Sequence, residues 1–254
     1  MVKRDTLRML LLTAVVACVA LSAPMGAQGQ GNCSGLPSAT ELKQLLVGAA
    51  SLSEAPLGGP VGGLFLGTRM WGAVVNRDGE VCAAATSTSD PGQVWPGSQA
   101  IAKAKAYTAN AFSIDTLALS TARLYTFTQP GHSLWSLGQS NLFNADALAG
   151  TAGRPGGLNQ IAGGLIFFGG GVALYRDGKV VGAIGVSGDT SCADHEIAKR
   201  ARHIAGMNPP GGPLVDDITY SSVDGASVFT HPLCLNTYRN GVVVPGSEQP
   251  AVGY

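Results

Sequence analysis

An α+β fold built around an antiparallel sheet is what this 254-residue chain predicts, and three features predict it. Apolar runs flank Arg77-Asp78-Gly79, a second pair flanks Arg176-Asp177-Gly178, and helical segments lie before, between and after these pairs. Asp-Gly between apolar runs supplies the backbone angles of a tight hairpin, so each pair reads as two neighbouring antiparallel strands. Strands in blocks with helices gathered outside them make a layered α+β structure and not a doubly wound nucleotide fold. Charged residues are 13% of the chain and hydrophobic ones 45%, a balance that excludes a disordered protein and a coiled coil.

Residues 1–27 read as a signal peptide. Lys3, Arg4 and Arg8 precede the apolar run Met9 to Leu21, and Ala23-Pro24-Met25-Gly26-Ala27 offers a cleavage site after Ala27. The run is too short for a comfortable bilayer span, so no transmembrane segment is expected in the mature chain. A second reading takes Val15-Val16-Ala17-Cys18 as a lipoprotein box that would leave Cys18 lipidated. Without the leader 13 basic and 15 acidic residues remain, giving no electrostatic footprint for nucleic acid and no polybasic membrane patch. The mature chain divides into a domain over residues 28–210 and a C-terminal extension over 211–254 packed on it. A secreted or periplasmic location follows from the leader.

Export sets the reading of the cysteines. Cys33, Cys82, Cys192 and Cys234 are even in number, and none is in C-x-x-C spacing, so two structural disulfides are expected. Three connectivities are open. The preferred one joins Cys33 to Cys234, tying the two ends to the body, and Cys82 to Cys192, tying a strand to a late helix.

In chain order, Ser38 caps a first helix, with Glu41 placed to reach back and Leu42, Leu45, Leu46 and Ala49 at helical spacing. Residues 55–67, rich in proline and glycine, form a connecting loop, and the first hairpin follows over Trp71 to Thr86. Ser98 to Phe112 is an alanine-rich helix, and Asp115 to Thr126 reads as another. The second hairpin runs from Val172 to Val186. A last helix, Cys192 to Gly206, is entered through Asp189-Thr190-Ser191 and stopped by Gly206 and Pro209-Pro210. In the tail, Ile218-Thr219-Tyr220 and Val242-Val243-Val244 are candidate strands.

Several segments together resemble a known family. Ala102 to Phe112 (AKAKAYTANAF) is similar to the "KA-T-A-x-x-F" helix of the GlcG/HbpS-like haem-binding family, and Gln129-Pro130-Gly131-His132-Ser133-Leu134-Trp135 to its "QPG-x-x-L" loop. Gly164 to Gly171, followed by Tyr175-Arg176-Asp177-Gly178 and Val181 to Gly188, resembles its strongest signature. The resemblance covers about Leu42 to Arg202. It implies a profilin-like α-β-α sandwich, a homo-oligomer, and non-covalent haem binding in sequestration, sensing or degradation. The chain departs from the family pattern at His132, at Asp194-His195-Glu196 in the last helix, and in its proline-rich tail.

Haem needs an apolar slot, an axial donor, and cations or amides for its propionates. Among the four histidines His132, beside Leu134 and Trp135, is the candidate axial ligand, with Trp135 a stacking partner; the alternative is a surface loop histidine. His195 and His203 lie two turns apart on one helix, where His195 is a second ligand candidate or a solvated residue. His231, before Pro232, reads as a turn residue. Lys105 matches the family's helix lysine and can meet a propionate, or is an ordinary solvated lysine; Lys103 points to a different side. Tyr107 can stack on a ligand or sit half-buried in the core. Gly169-Gly170-Gly171 is followed by a strand and no Gly-Lys-Ser/Thr, so it reads as close packing and not as a phosphate loop. No Cys-x-x-Cys-His, His-Glu-x-x-His or Gly-x-Ser-x-Gly occurs.

The leading expectation is therefore a secreted haem-binding protein. Its rivals are a small-molecule enzyme of the same fold acting on an organic acid, with Lys105, Tyr107 or Asp194 as polar groups, and a partner-binding module that uses open sheet edges.

Overall fold

Four strands form the central sheet of the computed structural model, which describes residues 32–148, 150–151 and 154–253. The leader expected over residues 1–27 lies outside the described residues. Strands β1 (Trp71–Asn76), β2 (Val81–Thr86), β3 (Gly171–Arg176) and β4 (Lys179–Ser187) lie in the order β2-β1-β4-β3, every pair antiparallel. The two expected hairpins are thus joined through β1 and β4, with Val74 opposite Ile184.

The shared Arg-Asp-Gly makes two different turns. In the second hairpin Arg176 pairs with Lys179, and Asp177 and Gly178 both have positive φ (50° and 76°), the signature of a two-residue type I′ turn. In the first only Gly79 is left-handed, at 85°. There the side-chain oxygen of Asn76 accepts from the backbone N–H of Asp78 and of Glu80, holding a longer loop.

Helices cover both faces. Helix α2 (Ser98–Phe112) lies across β1, β3 and β4, while α1 (Ala39–Ala50) and α3 (Ser191–Ile204) pack side by side on the other face. Period-two alternation sorts the strand residues. Val74, Val172, Ile184 and Val186 join Leu42, Leu46 and Ile197 in the main core, whereas Trp71, Ala73, Val75 and Ala183 turn toward the alanines of α2. The approach of α2 is close enough to require glycine. A Cβ on Gly185 would lie 2.0 Å from the carbonyl oxygen of Ala102, and one on Gly171 would lie 2.4 Å from that of Lys105. The glycine run therefore admits helix backbone against sheet, as the close-packing reading expected.

The capping box expected at α1 is present: Ser38 Oγ accepts from Glu41 N–H, and the Glu41 carboxylate accepts from Ser38 N–H. Residues 115–126, expected to be helical, are not. Ile114 and Leu117 form a turn, and a 3₁₀ segment runs over Thr121–Leu124. Polar side chains compete for the backbone here: Ser113 Oγ accepts from Leu119 N–H, Asp115 accepts from Val180 N–H, and Ser120 Oγ donates to the Asp216 carbonyl.

Both disulfides form, but the pairing differs from the expected Cys33–Cys234 and Cys82–Cys192. Cys33 bonds Cys82, and Cys192 bonds Cys234. Leu36, just before α1, and Cys82 on β2 both pack against the main core, and the Cys33 and Cys82 Cα atoms lie 5.5 Å apart. Cys234 instead anchors the tail to the first turn of α3, inside a second buried cluster of Ala122, Ile218, Tyr220, Leu233 and Val244. The two expected tail strands exist as short pairs: Thr219–Tyr220 beside Thr230–His231, and Val242–Val243 beside Tyr238–Arg239.

Candidate functional site

Lys105 is the first candidate that α2 positions, and the fold encloses it. Its side chain is fully buried; Nζ donates to Asp194 Oδ2 at 2.7 Å and to the Val186 carbonyl at 3.0 Å, and stands 4.8 Å from the centre of the Phe168 ring. Burial lowers the Lys105 pKa, opposed by the Asp194 charge. Asp194 is pushed up to about 6 by burial, with Lys105 opposing, and its other oxygen accepts from Asp189 N–H at 3.0 Å. In this arrangement the ammonium faces inward and cannot reach a ligand on the surface, so the solvated-lysine alternative is also corrected. Lys103, two residues earlier, points elsewhere as expected, donating to Gln99 Oε1 and to the carbonyls of Ala147 and Gly156. Burial lowers it to about 8.

Tyr107 is half-buried against the first hairpin: a Cβ on Gly79 would lie 2.6 Å from its ring. This is its core role, on a different part of α2 from the Lys105 ammonium.

His132 lies on the loop after α2 in a chain of tight turns, its N–H donating to the Gln129 carbonyl and its own carbonyl accepting from Trp135 N–H. The residue is half-buried, and Trp135 is 50% exposed. Leu142 and Phe143, on the same excursion, are exposed as well, at 82% and 41%. An imidazole thus accompanies a run of exposed apolar side chains.

His195 is buried in α3 and not solvated, its Nε2 3.3 Å from Asp217 Oδ1. Nor is His231 a turn residue. It is buried, its ring 5.3 Å from that of Tyr125, and its pKa is lowered by burial to about 3. His203 is half-buried near the end of α3, with Nδ1 2.9 Å from the Asn208 amide.

Sequence reasoning missed the ionic lattice that α3 forms with the tail. Lys199 Nζ donates to Glu196 Oε1 (2.6 Å), Asp217 Oδ1 (2.7 Å) and Asn240 Oδ1 (2.7 Å). Arg202 makes a two-pronged pair with Asp216, at 2.8 and 2.6 Å, and all these charged side chains are buried or nearly so. Glu196, Lys199 and Arg200 at i, i+3 and i+4 were readable as one helix face; their partners in the tail were not. Asp189 was read only as helix entry. Its carboxylate accepts from the backbone N–H groups of Leu64, Phe65 and Gly67 and so organises the loop before β1.

A cleft of about 370 Å³ opens between the N-terminal lead, α1 and the end of α3, lined by Leu36, Glu41, Leu45, Ile204 and Met207 among others, with no imidazole or aromatic ring. The acid–base candidates of the catalytic rival, Lys105 and Asp194, are both closed off from solvent. Among the described residues, then, His132 is a half-buried imidazole, its Nδ1 buried, on a loop that also exposes Trp135.

A family model described as haem degrading protein HbpS-like matches residues 65–203. Three solved structures are similar to this chain. The PduOC:heme complex is 24% identical, with a TM-score of 0.43 over 65% of this chain and 88% of that one. Klebsiella pneumoniae protein ORFY is 23% identical, with a TM-score of 0.42 over 65% and 89%. A double Glu-to-Asp variant of Streptomyces reticuli HbpS is 18% identical, with a TM-score of 0.37 over 66% and 86%. No curated protein sequence matches the chain.

Proposed function

Because the chain belongs to the HbpS-like family of haem-degrading proteins, we propose that it is a secreted haem-binding protein that holds the porphyrin non-covalently at the His132 loop. The observation that carries this reading is the family match, which takes in the four-stranded sheet, α2 and nearly all of α3 but not α1. The residues present fit the group. His132 is a half-buried imidazole with its Nδ1 buried, and Trp135, Leu142 and Phe143, further along the same excursion, are exposed apolar side chains. When bound, haem would supply a redox-active iron. His132 would hold the group through its imidazole and Trp135, Leu142 and Phe143 would offer apolar contact, while Lys105 is committed to Asp194.

Export and self-association belong to the same proposal. Two disulfides suit an oxidising compartment, and no helix among the described residues is long and apolar enough to cross a membrane. The exposed apolar loop is also a surface on which a second copy can pack. Residues 28–210 would carry the ligand and 211–254 would serve as an added wall.

Titrating the purified protein with hemin tests the reading. A shifted Soret band is expected, and His132→Ala should weaken binding by about ten-fold or more, the scale of losing a partner at a metal site. No shift at all would overturn haem binding. An unchanged shift and affinity in His132→Ala would remove only the axial role. Time-dependent loss of the spectrum with a reductant and oxygen would place degradation in this chain's repertoire.

A further inference from the structure

The tail brings together a second set of metal-ligand chemistry that the haem reading does not use. Cys192, Cys234 and His231 are all buried, and their ligand atoms lie within 4.8 Å of one another. In the oxidised chain the two sulfurs are bonded to each other. Cys234 Sγ also accepts the Cys192 N–H at 3.2 Å and lies 3.4 Å from Ser191 Oγ, in the first turn of a 14-residue helix. Donors in that position favour negative charge on sulfur.

The histidine is already arranged as metal-bound histidines are. Its Nδ1 lies 2.8 Å from the Pro232 carbonyl oxygen, which can only accept, so Nδ1 carries the proton. Its Nε2 accepts the Gly169 N–H at 3.1 Å and therefore presents a lone pair. A carbonyl on one ring nitrogen fixing the tautomer is the usual support of a metal-bound imidazole, and here the other nitrogen holds one exchangeable hydrogen bond, from Gly169.

We propose that reduction of the Cys192–Cys234 disulfide uncovers a Cys2His site for a divalent cation of the zinc type. A dithiol reductant gives up two electrons and two protons and closes to its own disulfide, while the Cys192–Cys234 bond breaks to two thiols. Binding of the cation then releases both thiol protons, two thiolates ligate, and His231 Nε2 exchanges the Gly169 N–H for the metal. Two thiolates and one imidazole select zinc over magnesium or calcium, and a three-residue donor set leaves a fourth tetrahedral position open. The tail would be clamped to α3 in both redox states, by a covalent bond in one and by a metal in the other.

The mature chain, oxidised or anaerobically reduced with a phosphine, is titrated with Co²⁺ as the probe. Uptake of one equivalent after reduction only is expected, with a sulfur-to-cobalt charge-transfer band that Zn²⁺ abolishes. The Cys33→Ser/Cys82→Ser variant should keep this response and Cys192→Ser/Cys234→Ser should lose it. His231→Gln should weaken uptake by about ten-fold or more. Far-ultraviolet circular dichroism of each variant separates loss of the site from loss of the fold, and if a variant fails to fold the Cys33→Ser/Cys82→Ser protein decides alone. A reduced protein without the thiolate–cobalt band, or a band that persists in Cys192→Ser/Cys234→Ser, would overturn the site.

Discussion

Lys103 shows how one buried charge makes stability depend on pH. Its folded pKa, about 8, lies below the ordinary lysine value, so between that pH and about 10.5 the unfolded chain holds more protons. Stability should therefore rise with pH across this window as the buried ammonium loses its charge. Urea midpoints of the wild type measured against Lys103→Met should show the wild type gaining relative to the variant from pH 8 to 10.5; parallel curves would mean that the charge is not buried in solution. Gly185 acts through space and not charge. Gly185→Ala would drive a methyl into the Ala102 carbonyl, on the rigid backbone of α2, and should cost about 3 kcal/mol or more in chemical denaturation. Gly185 was legible as part of a strand signature, but the helix pressing on it was not, because α2 is some 80 residues away in sequence.

Among the elements, α3 is the hub. One side packs on the sheet and α1, and the other presents Lys199 and Arg202 to the tail carboxylates Asp217 and Asp216. Removing one member of such a pair strands its partner's charge in the interior. Asp216→Ala should thus destabilise the fold by about 3–5 kcal/mol, while Arg202→Met/Asp216→Leu, which removes both charges, should recover most of that loss. Equal urea midpoints for Asp216→Ala and the wild type would show the pair to be solvent-screened. The helix itself was legible from its cap and stop signals, since those lie in adjacent residues. That His195, Lys199, Arg200 and Arg202 are buried was not, because the groups that cover them lie far away in the chain: Asp216 and Asp217 in the tail, and the carbonyls of Gly59 and Pro60 over Arg200.

For the molecule as a whole, the second buried cluster makes residues 211–254 a wall of the fold. Chain termination after Pro210 would bare Ala122 and Cys192 and leave Lys199 without Asp217 and Asn240 and Arg202 without Asp216. Such a truncated protein should be recovered as aggregate, whereas the full chain should elute as a defined species in gel filtration. A soluble, cooperatively unfolding truncation would return the tail to the status of an appendage. The same scale explains the changed view of the ligand site. Lys105, expected to meet a propionate, is enclosed by Asp194 and the Phe168 ring, which leaves the His132 loop to carry the proposal.

What the sequence determined by itself is whatever depends on near neighbours or on a linear pattern: both hairpins, the capping box of α1, the bounds of α2 and α3, the need for glycine at 169–171, and a resemblance that agrees with the family match over 65–203. Turn angles and caps are set by atoms a few residues apart, so the residues alone suffice. Tertiary structure decided which cysteines meet, that Lys105 faces Asp194, and that His195 and His231 are interior. Those outcomes depend on distances between segments tens of residues apart and on exclusion of water, which are settled only once the layers close on one another.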